Sequence, residues 1–130
     1  MGIEPITLNA KEGLALINGT QFIAAHAVWG VYNLHYYLNT ADIIGAMSLE
    51  GVLGSASPFD ERLHMVRPFY GSQFVAHRLR ALLKNSEMVE SHIDCGRVQD
   101  PYSIRCMPQV HGTSRNAWLH VKQMVDIEIN

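Results

Sequence analysis

Three side chains near the C-terminal end of the chain have the types and the spacing of a binding site for a small carboxylate. Gln99, Tyr102 and Arg105 offer an amide, a phenol and a guanidinium, each three residues after the last. Asp100 followed by Pro101 predicts a helix start, with the aspartate as N-cap. Tyr102 and Arg105 would then share one face of the first turns, with Gln99 just before the helix, and helix N-termini favour anions. Since a guanidinium binds a carboxylate through two parallel hydrogen bonds, the segment predicts part of a site for an amino acid.

The elements that would position this site are all predicted to be helical. Apolar residues recur at helical spacing, without strand alternation or internal repeats. The stretch after Thr20, to about Leu38, is apolar on nearly all sides, which is typical of a buried helix. Further helices are predicted at residues 43–53, with Thr40 or Asp42 as N-cap, and at residues 58–66, 72–84 and 114–129. The predicted fold class is all-α.

The composition limits the functional class. The chain has 130 residues, 48% of them hydrophobic, and a net charge of -2, so it has the size of one domain and no basic surface for nucleic acid or an anionic membrane. No apolar run approaches the ~18 residues of a spanning helix, and we expect no membrane partner. Two cysteines, Cys95 and Cys106, suit a reducing cytoplasm. The histidines lack the spacing of metal ligands, so we expect no metal.

The segment around Arg105 also carries a family resemblance. The run QDPYSIRC at residues 99–106, followed by PQVHG at residues 108–112, resembles the histidine branch of the aromatic amino acid lyase family. The run KEGLALINGT at residues 11–20 is similar to another segment of that family, and PFDERLH at residues 58–64 follows in the family's order. The resemblance extends over essentially the whole chain.

The resemblance implies a fold and a reaction. Residues 1–130 would form part of the central helical domain of the ammonia-lyase fold, a long-helix bundle with no internal domain boundary. The whole protein would be a cytoplasmic homotetramer whose sites combine residues from more than one subunit. Its reaction would be the elimination of ammonia from L-histidine to give urocanate.

The resemblance also assigns roles to four residues. Tyr102 and Asn18 would be catalytic: Tyr102 would assist proton movement, and Asn18 would hydrogen-bond the electrophile or the substrate amine. Arg105 would hold the substrate carboxylate, and Gln99 would lie against the prosthetic group. Considered without the family, each has a structural alternative: a cap or a turn residue for Asn18, a loop residue for Gln99, packing for Tyr102 and an ion pair for Arg105.

Part of the family's machinery is missing from this sequence. The family forms its prosthetic group, methylidene-imidazolone, from an internal Ala-Ser-Gly, which occurs nowhere in the chain. The chain therefore resembles an interior segment of a longer enzyme, and we expect it to be inactive in isolation. It departs from the family at residues 69–72 (FYGS), where histidine and glutamine are common, and at Asn116, where aspartate is common.

Two other interpretations stay open. The chain could belong to a phenylalanine or tyrosine ammonia-lyase or aminomutase, because the main residues that select the substrate ring lie outside it. Alternatively, it could be a non-catalytic helical module that serves only assembly. Retention of Asn18, Gln99, Tyr102 and Arg105 favours a catalytic role over this last possibility.

Overall fold

A computed structural model describes residues 2–130 as helices joined by short loops. The described residues form α1 (Glu12–Ile17), α2 (Gln21–Gly51), a 3-10 turn (Ser57–Phe59), α3 (Glu61–Val66), α4 (Tyr70–Leu82), α5 (Glu87–Glu90), α6 (Tyr102–Arg105) and α7 (Met107–Glu128). No strand occurs among them, and the predicted all-α class is confirmed.

The core lies where the C-terminal half of α2 meets α4 and α7. The contact between α4 and α7 is the most extensive, and α2 packs against both helices. The largest fully buried apolar side chains come from α2, the 3-10 turn and α4: Leu49, Phe59, Val75 and Leu79. Because apolar burial is the main favourable contribution to folding, the contact of these three helices stabilises the fold. Helix α6 packs against two of them, α2 and α7.

The longest helix, α2, differs most from its prediction. A helix start at residue 43, capped by Thr40 or Asp42, is wrong, because α2 continues without interruption from Gln21 to Gly51. The buried Asp42 carboxylate binds the guanidinium groups of Arg78 in α4 and Arg115 in α7. Aspartate usually weakens a helix interior by competing for nearby backbone groups, and these distant partners remove that competition.

The helices predicted at residues 58–66 and 72–84 lie close to their observed positions, and the helix predicted at residues 114–129 begins earlier than expected. Helix α4 is shifted by two residues from the predicted 72–84, and the helix predicted at 58–66 is present as the 3-10 turn followed by α3. Helix α7 begins at Met107 rather than at residue 114. Pro108 lies in its first turn, where a backbone N–H has no helical acceptor, so this proline is compatible with a helix start.

The first half of α2 presents apolar side chains that remain exposed in this chain. Phe22, Ile23 and Trp29 are 76%, 71% and 67% exposed, whereas the buried residues of α2 all lie from Asp42 onward. The sequence predicts a buried helix for the stretch to about Leu38, whereas in this chain none of residues 21–38 is buried. A helix that is apolar all round needs neighbours all round, which one chain of this length does not supply.

The same region meets a length and composition test for membrane helices. The helical stretch Glu12–Gly51 contains an 18-residue window with a mean hydropathy of 1.2. The expectation that no apolar run reaches spanning length is therefore wrong when hydropathy is averaged over a window. Scattered polar residues interrupt the apolar run but lower the mean hydropathy of the window only slightly. Core helices of water-soluble proteins pass the same test, so the observation is weak evidence for a membrane.

Helices α4 and α7 come into backbone contact at two glycines. A methyl group on Gly112 would lie 2.6 Å from the carbonyl carbon of Gly71. Nearby, the side-chain oxygen of Asn116 accepts a hydrogen bond from the Gly71 N–H at 3.0 Å. The departure from the family at position 116 therefore keeps an oxygen acceptor, as an aspartate would.

Gly71→Ala should destabilise the protein by about 1–3 kcal/mol, because the added methyl group would overlap the Gly112 carbonyl and force the helices apart. Gly30→Ala is the matched control, since a methyl group there would have no atom within 4 Å apart from the adjoining backbone of its own helix. We expect the control to gain about 0.5–1 kcal/mol from helix propensity. Urea denaturation followed by circular dichroism measures both variants. Equal effects would contradict the close helix contact.

Candidate functional site

A cavity of about 550 Å³ lies between the loop after α2 and the segment that leads into α6. Its wall is formed by residues 55–58, by several residues between positions 89 and 100, and by Arg105. Two of the four predicted site residues, Gln99 and Arg105, line this cavity. The fold thus brings the predicted amide and guanidinium to one place.

The Arg105 guanidinium is held on one side and open on the other. Its Nε donates to the carbonyl oxygen of Asp100 at 2.9 Å, and its central carbon lies 5.7 Å from the centroid of the Tyr102 ring. Within residues 2–130 no carboxylate forms an ion pair with it, so the structural ion pair considered from sequence is not found there. Its terminal nitrogens are available to bind a carboxylate through two parallel hydrogen bonds.

The helix start predicted at Asp100 and Pro101 is wrong in its details. Helix α6 comprises only Tyr102–Arg105, and its N-cap is Pro101, without a side-chain cap. The Asp100 carboxylate reaches the loop after α2 instead, where Oδ2 accepts from the Ser55 N–H at 2.7 Å. A single turn sums few peptide dipoles, so anion binding in this cavity depends on Arg105 rather than on the helix N-terminus.

Tyr102 and Asn18 are not among the residues that line the cavity. Tyr102 begins α6 beside Arg105 and is 72% exposed. Asn18 ends α1: its N–H binds the Leu14 carbonyl oxygen, and its side chain is exposed. Asn18 therefore occupies the cap position that its residue type allows, and its catalytic role stays a prediction. The roles of Gln99, Tyr102 and Arg105 stay predictions as well.

Several residues of the cavity wall could not be identified from sequence spacing. Ser55, His92 and Cys95 line it together with Gln99. Ser55 lies in a loop without a chemical motif, and His92 and Cys95 have no companions at metal-ligand spacing. Residues 2–130 contain no group of three or more potential metal ligands. Only the packing of the loop after α2 against residues 99–105 reveals this wall.

The most strongly shifted acid in the described chain lies outside the cavity. Hydrogen bonds from Arg62 hold the pKa of Asp60 well below its usual range, and Asp60 caps α3 by accepting from the Arg62 N–H at 2.9 Å. Asp60 does not line the cavity, so this pair serves the helix. The chemistry that the cavity supports is the recognition of a small carboxylate by Arg105, with the Gln99 amide as a further hydrogen-bonding group.

The chain is similar in sequence to one known protein family. The sequence profile of the aromatic amino acid lyases matches residues 1–130. A histidine ammonia-lyase of Sorangium cellulosum (strain So ce56) is 52% identical over 129 residues, and one of Myxococcus xanthus (strain DK1622) is 47% identical over 129 residues. Each alignment covers 99% of this chain and 25% of the relative. The chain therefore spans about a quarter of the length of these relatives.

Solved structures agree with the sequence comparison. A crystal structure of histidine ammonia-lyase from Trypanosoma cruzi superposes with a TM-score of 0.71 at 49% identity, covering 90% of this chain and 20% of that one. The phenylalanine aminomutase of Pantoea agglomerans superposes with a TM-score of 0.83 at 30% identity, covering 99% and 28%. Because the family profile extends over every residue of the predicted site, this chain belongs to the aromatic amino acid lyase family.

Proposed function

We propose that this chain is a segment of a lyase that eliminates ammonia from L-histidine to give urocanate. The observation that carries the proposal is the Arg105 guanidinium, which is anchored at Nε beside the cavity that Gln99 also lines, and which no carboxylate within residues 2–130 neutralises. The relatives named histidine ammonia-lyase, at 52% and 47% identity, support histidine as the substrate.

Arg105 would hold the substrate carboxylate through two charge-assisted hydrogen bonds. With that end fixed, Tyr102 beside it would position the substrate ring and assist movement of the β-proton. The Cβ–H bond breaks and its electron pair forms the Cα–Cβ double bond, while the C–N bond breaks and its electron pair leaves with nitrogen. The proton removed from Cβ and the departing amino group together make ammonia, so the products are urocanate and ammonia. The reaction needs no oxidant or reductant.

The β-proton is weakly acidic and the amine is a poor leaving group, so the family's methylidene-imidazolone would supply the electrophile that activates the substrate. Without an Ala-Ser-Gly in this chain, the group would come from another part of the full protein. The donor set fits such a neighbour, because Gln99 presents an uncharged amide to a cavity of about 550 Å³. Gln99 would lie against the group from this cavity. Asn18, which lies outside the cavity, would hydrogen-bond the group in a site that combines residues from more than one subunit.

We also propose that the full protein is a homotetramer in the cytoplasm. The exposed apolar surface on the first half of α2 supports association, since large apolar surfaces mark interfaces. Cys95 and Cys106 are both free thiols, which is compatible with a reducing compartment.

A phenylalanine or tyrosine aminomutase or ammonia-lyase is the second candidate. Structures of a phenylalanine aminomutase and a tyrosine aminomutase superpose with TM-scores of 0.83 and 0.81, above the 0.71 of the histidine ammonia-lyase. Sequence identity has the opposite order, 30% and 33% against 49%. A shared backbone is compatible with several substrates, so the identity of side chains carries more weight and histidine is the first candidate.

The full-length protein that carries this segment tests the proposal. The purified enzyme should form urocanate from L-histidine, detected by ultraviolet absorbance, at least about 100-fold more efficiently than it acts on L-phenylalanine or L-tyrosine. Preference for either of the latter would favour the second candidate. Failure of assembled protein with an intact Ala-Ser-Gly to act on any of the three would leave the non-catalytic helical module.

A further inference from the structure

We propose that Asp100 is a positioning residue for Arg105, and that the loop after α2 holds Asp100 in place. The inference rests on the proposed function, in which Arg105 binds the substrate carboxylate. It concerns a residue whose sequence context suggested only a helix cap. The structure shows that its carboxylate and its carbonyl serve two different partners.

Asp100 connects the loop to the guanidinium through its two ends. Its side chain is buried, with 7% of the residue exposed, and Oδ2 accepts from the Ser55 N–H at 2.7 Å. Its carbonyl oxygen accepts from Arg105 Nε at 2.9 Å. When the Asp100 backbone is fixed, its hydrogen bond to Nε restricts the orientation of the planar guanidinium. The two terminal nitrogens, Nη1 and Nη2, then remain free to bind a carboxylate.

The Ser55 N–H is itself held by the way in which α2 ends. The Gly54 N–H donates to the Leu49 carbonyl oxygen at 2.8 Å, and the Leu53 N–H donates to the Glu50 carbonyl oxygen at 2.9 Å. Leu53 itself has a φ of 54°, in the left-handed region. These are the hydrogen bonds and the conformation of a Schellman helix end.

The Schellman end brings the loop against buried atoms. A methyl group on Gly54 would lie 3.3 Å from the Leu49 carbonyl oxygen and 3.4 Å from Asp100 Oδ2, so the glycine allows a close approach of loop and carboxylate. Leu49 is fully buried in the core. A continuous set of contacts thus runs from the core through the loop and Asp100 to Arg105.

The consequence is a preorganised clamp. A free arginine samples many rotamers, and a substrate that binds it must first restrict them. Anchoring Nε removes part of this cost before the substrate arrives, which lowers KM without requiring that Asp100 touch the substrate. Loss of the anchor should therefore appear mainly in KM.

The test uses the full-length enzyme and L-histidine. Asp100→Ala should raise KM about tenfold, the size expected for one lost hydrogen bond in a positioning role, with a smaller change in kcat. Asp100→Asn keeps an oxygen acceptor for the Ser55 N–H and should restore KM to within about twofold of the parent enzyme. In an Arg105→Ala background, Asp100→Ala should have little further effect on KM, because its influence passes through Arg105.

Other results would overturn the inference. A tenfold rise in KM that persists in the Arg105→Ala background would show that Asp100 acts independently of the guanidinium. A crystal structure of the Asp100→Ala enzyme provides a readout that does not depend on activity: Arg105 should lose its position, and an unchanged guanidinium would contradict the proposal. If the parent enzyme does not convert histidine, the proposed function fails, while the position of Arg105 in the variant still decides the role of Asp100.

Discussion

Replacing Asp42 with alanine is expected to destabilise the protein by about 3–5 kcal/mol. Asp42 is fully buried, and its Oδ2 lies 2.5 Å from Nη2 of Arg115 and 3.1 Å from Nε of Arg78. Its Oδ1 lies 2.9 Å from Nδ1 of His111. Without the carboxylate, the buried Arg115 guanidinium has no counter-charge, and an unpaired buried charge costs more than the attraction of the pair contributes.

The position of Asp42 explains why the effect should be global rather than local. Asp42 belongs to α2, Arg78 to α4, and His111 and Arg115 to α7. One carboxylate therefore joins the three helices that form the core. Arg115 also donates to the Leu38 carbonyl oxygen at 2.9 Å, which links α7 to α2 one turn earlier.

Asp126→Ala provides a matched control on another helical aspartate. Asp126 pairs with Lys122 on the surface of α7, with half of its side chain exposed. Exposed pairs one helical turn apart contribute little, so this variant should lose less than about 1 kcal/mol. Urea denaturation followed by circular dichroism compares the two. A loss for Asp42→Ala no larger than that of the control would show that the buried network does not stabilise the fold.

Arg105→Ala is expected to lower kcat/KM for L-histidine by at least about 30-fold in the full-length enzyme, since truncating one partner of a desolvated charge pair costs about 2 kcal/mol or more. The substrate carboxylate would then enter the cavity without its cationic partner. Arg105→Lys keeps the charge but loses the planar fork and the Nε donor to Asp100, so it should recover only part of the activity. Steady-state kinetics with histidine measure both variants.

Arg97 is the control for this prediction because it lines the same cavity. Its Nη1 donates to the Val52 carbonyl oxygen at 3.1 Å, near the end of α2, and the residue is exposed. Arg97→Ala should therefore change kcat/KM by less than about threefold, in line with the loss of one exposed hydrogen bond. If Arg97→Ala and Arg105→Ala had equal effects, the cavity would respond to total positive charge and not to a specific clamp.

Local sequence patterns predicted much of the helical framework. The apolar spacing around Val75 and Leu79 predicted α4 to within two residues, and both side chains are buried in the core. The three-residue spacing of Tyr102 and Arg105 predicted that a phenol and a guanidinium would lie side by side, and the two side chains are in contact, 5.7 Å from guanidinium carbon to ring centroid. These predictions succeed because helical periodicity and short spacings are determined by residues within one or two turns.

Local patterns give wrong predictions where a side chain binds a partner that is distant in sequence. Asp42 has the residue type of a helix cap, yet it lies inside α2. Its carboxylate binds Arg115, which is 73 residues away in sequence and therefore invisible to a local pattern. Asp100 precedes a proline as an N-cap would, yet its carboxylate binds the Ser55 N–H, 45 residues away. No local pattern distinguishes an aspartate that caps its own helix from one that binds another segment.

The amino-acid sequence alone is sufficient to predict the helical class, the family and the types of side chain available for carboxylate recognition. The packing of helices and loops determines which of these side chains come together. It places Gln99 and Arg105 at one cavity, pairs Asp100 with the loop after α2, and leaves Asn18 on the surface of this chain. The physical reason is that helix formation depends mainly on neighbouring residues, whereas a binding site requires groups far apart in sequence to be held together by a packed core.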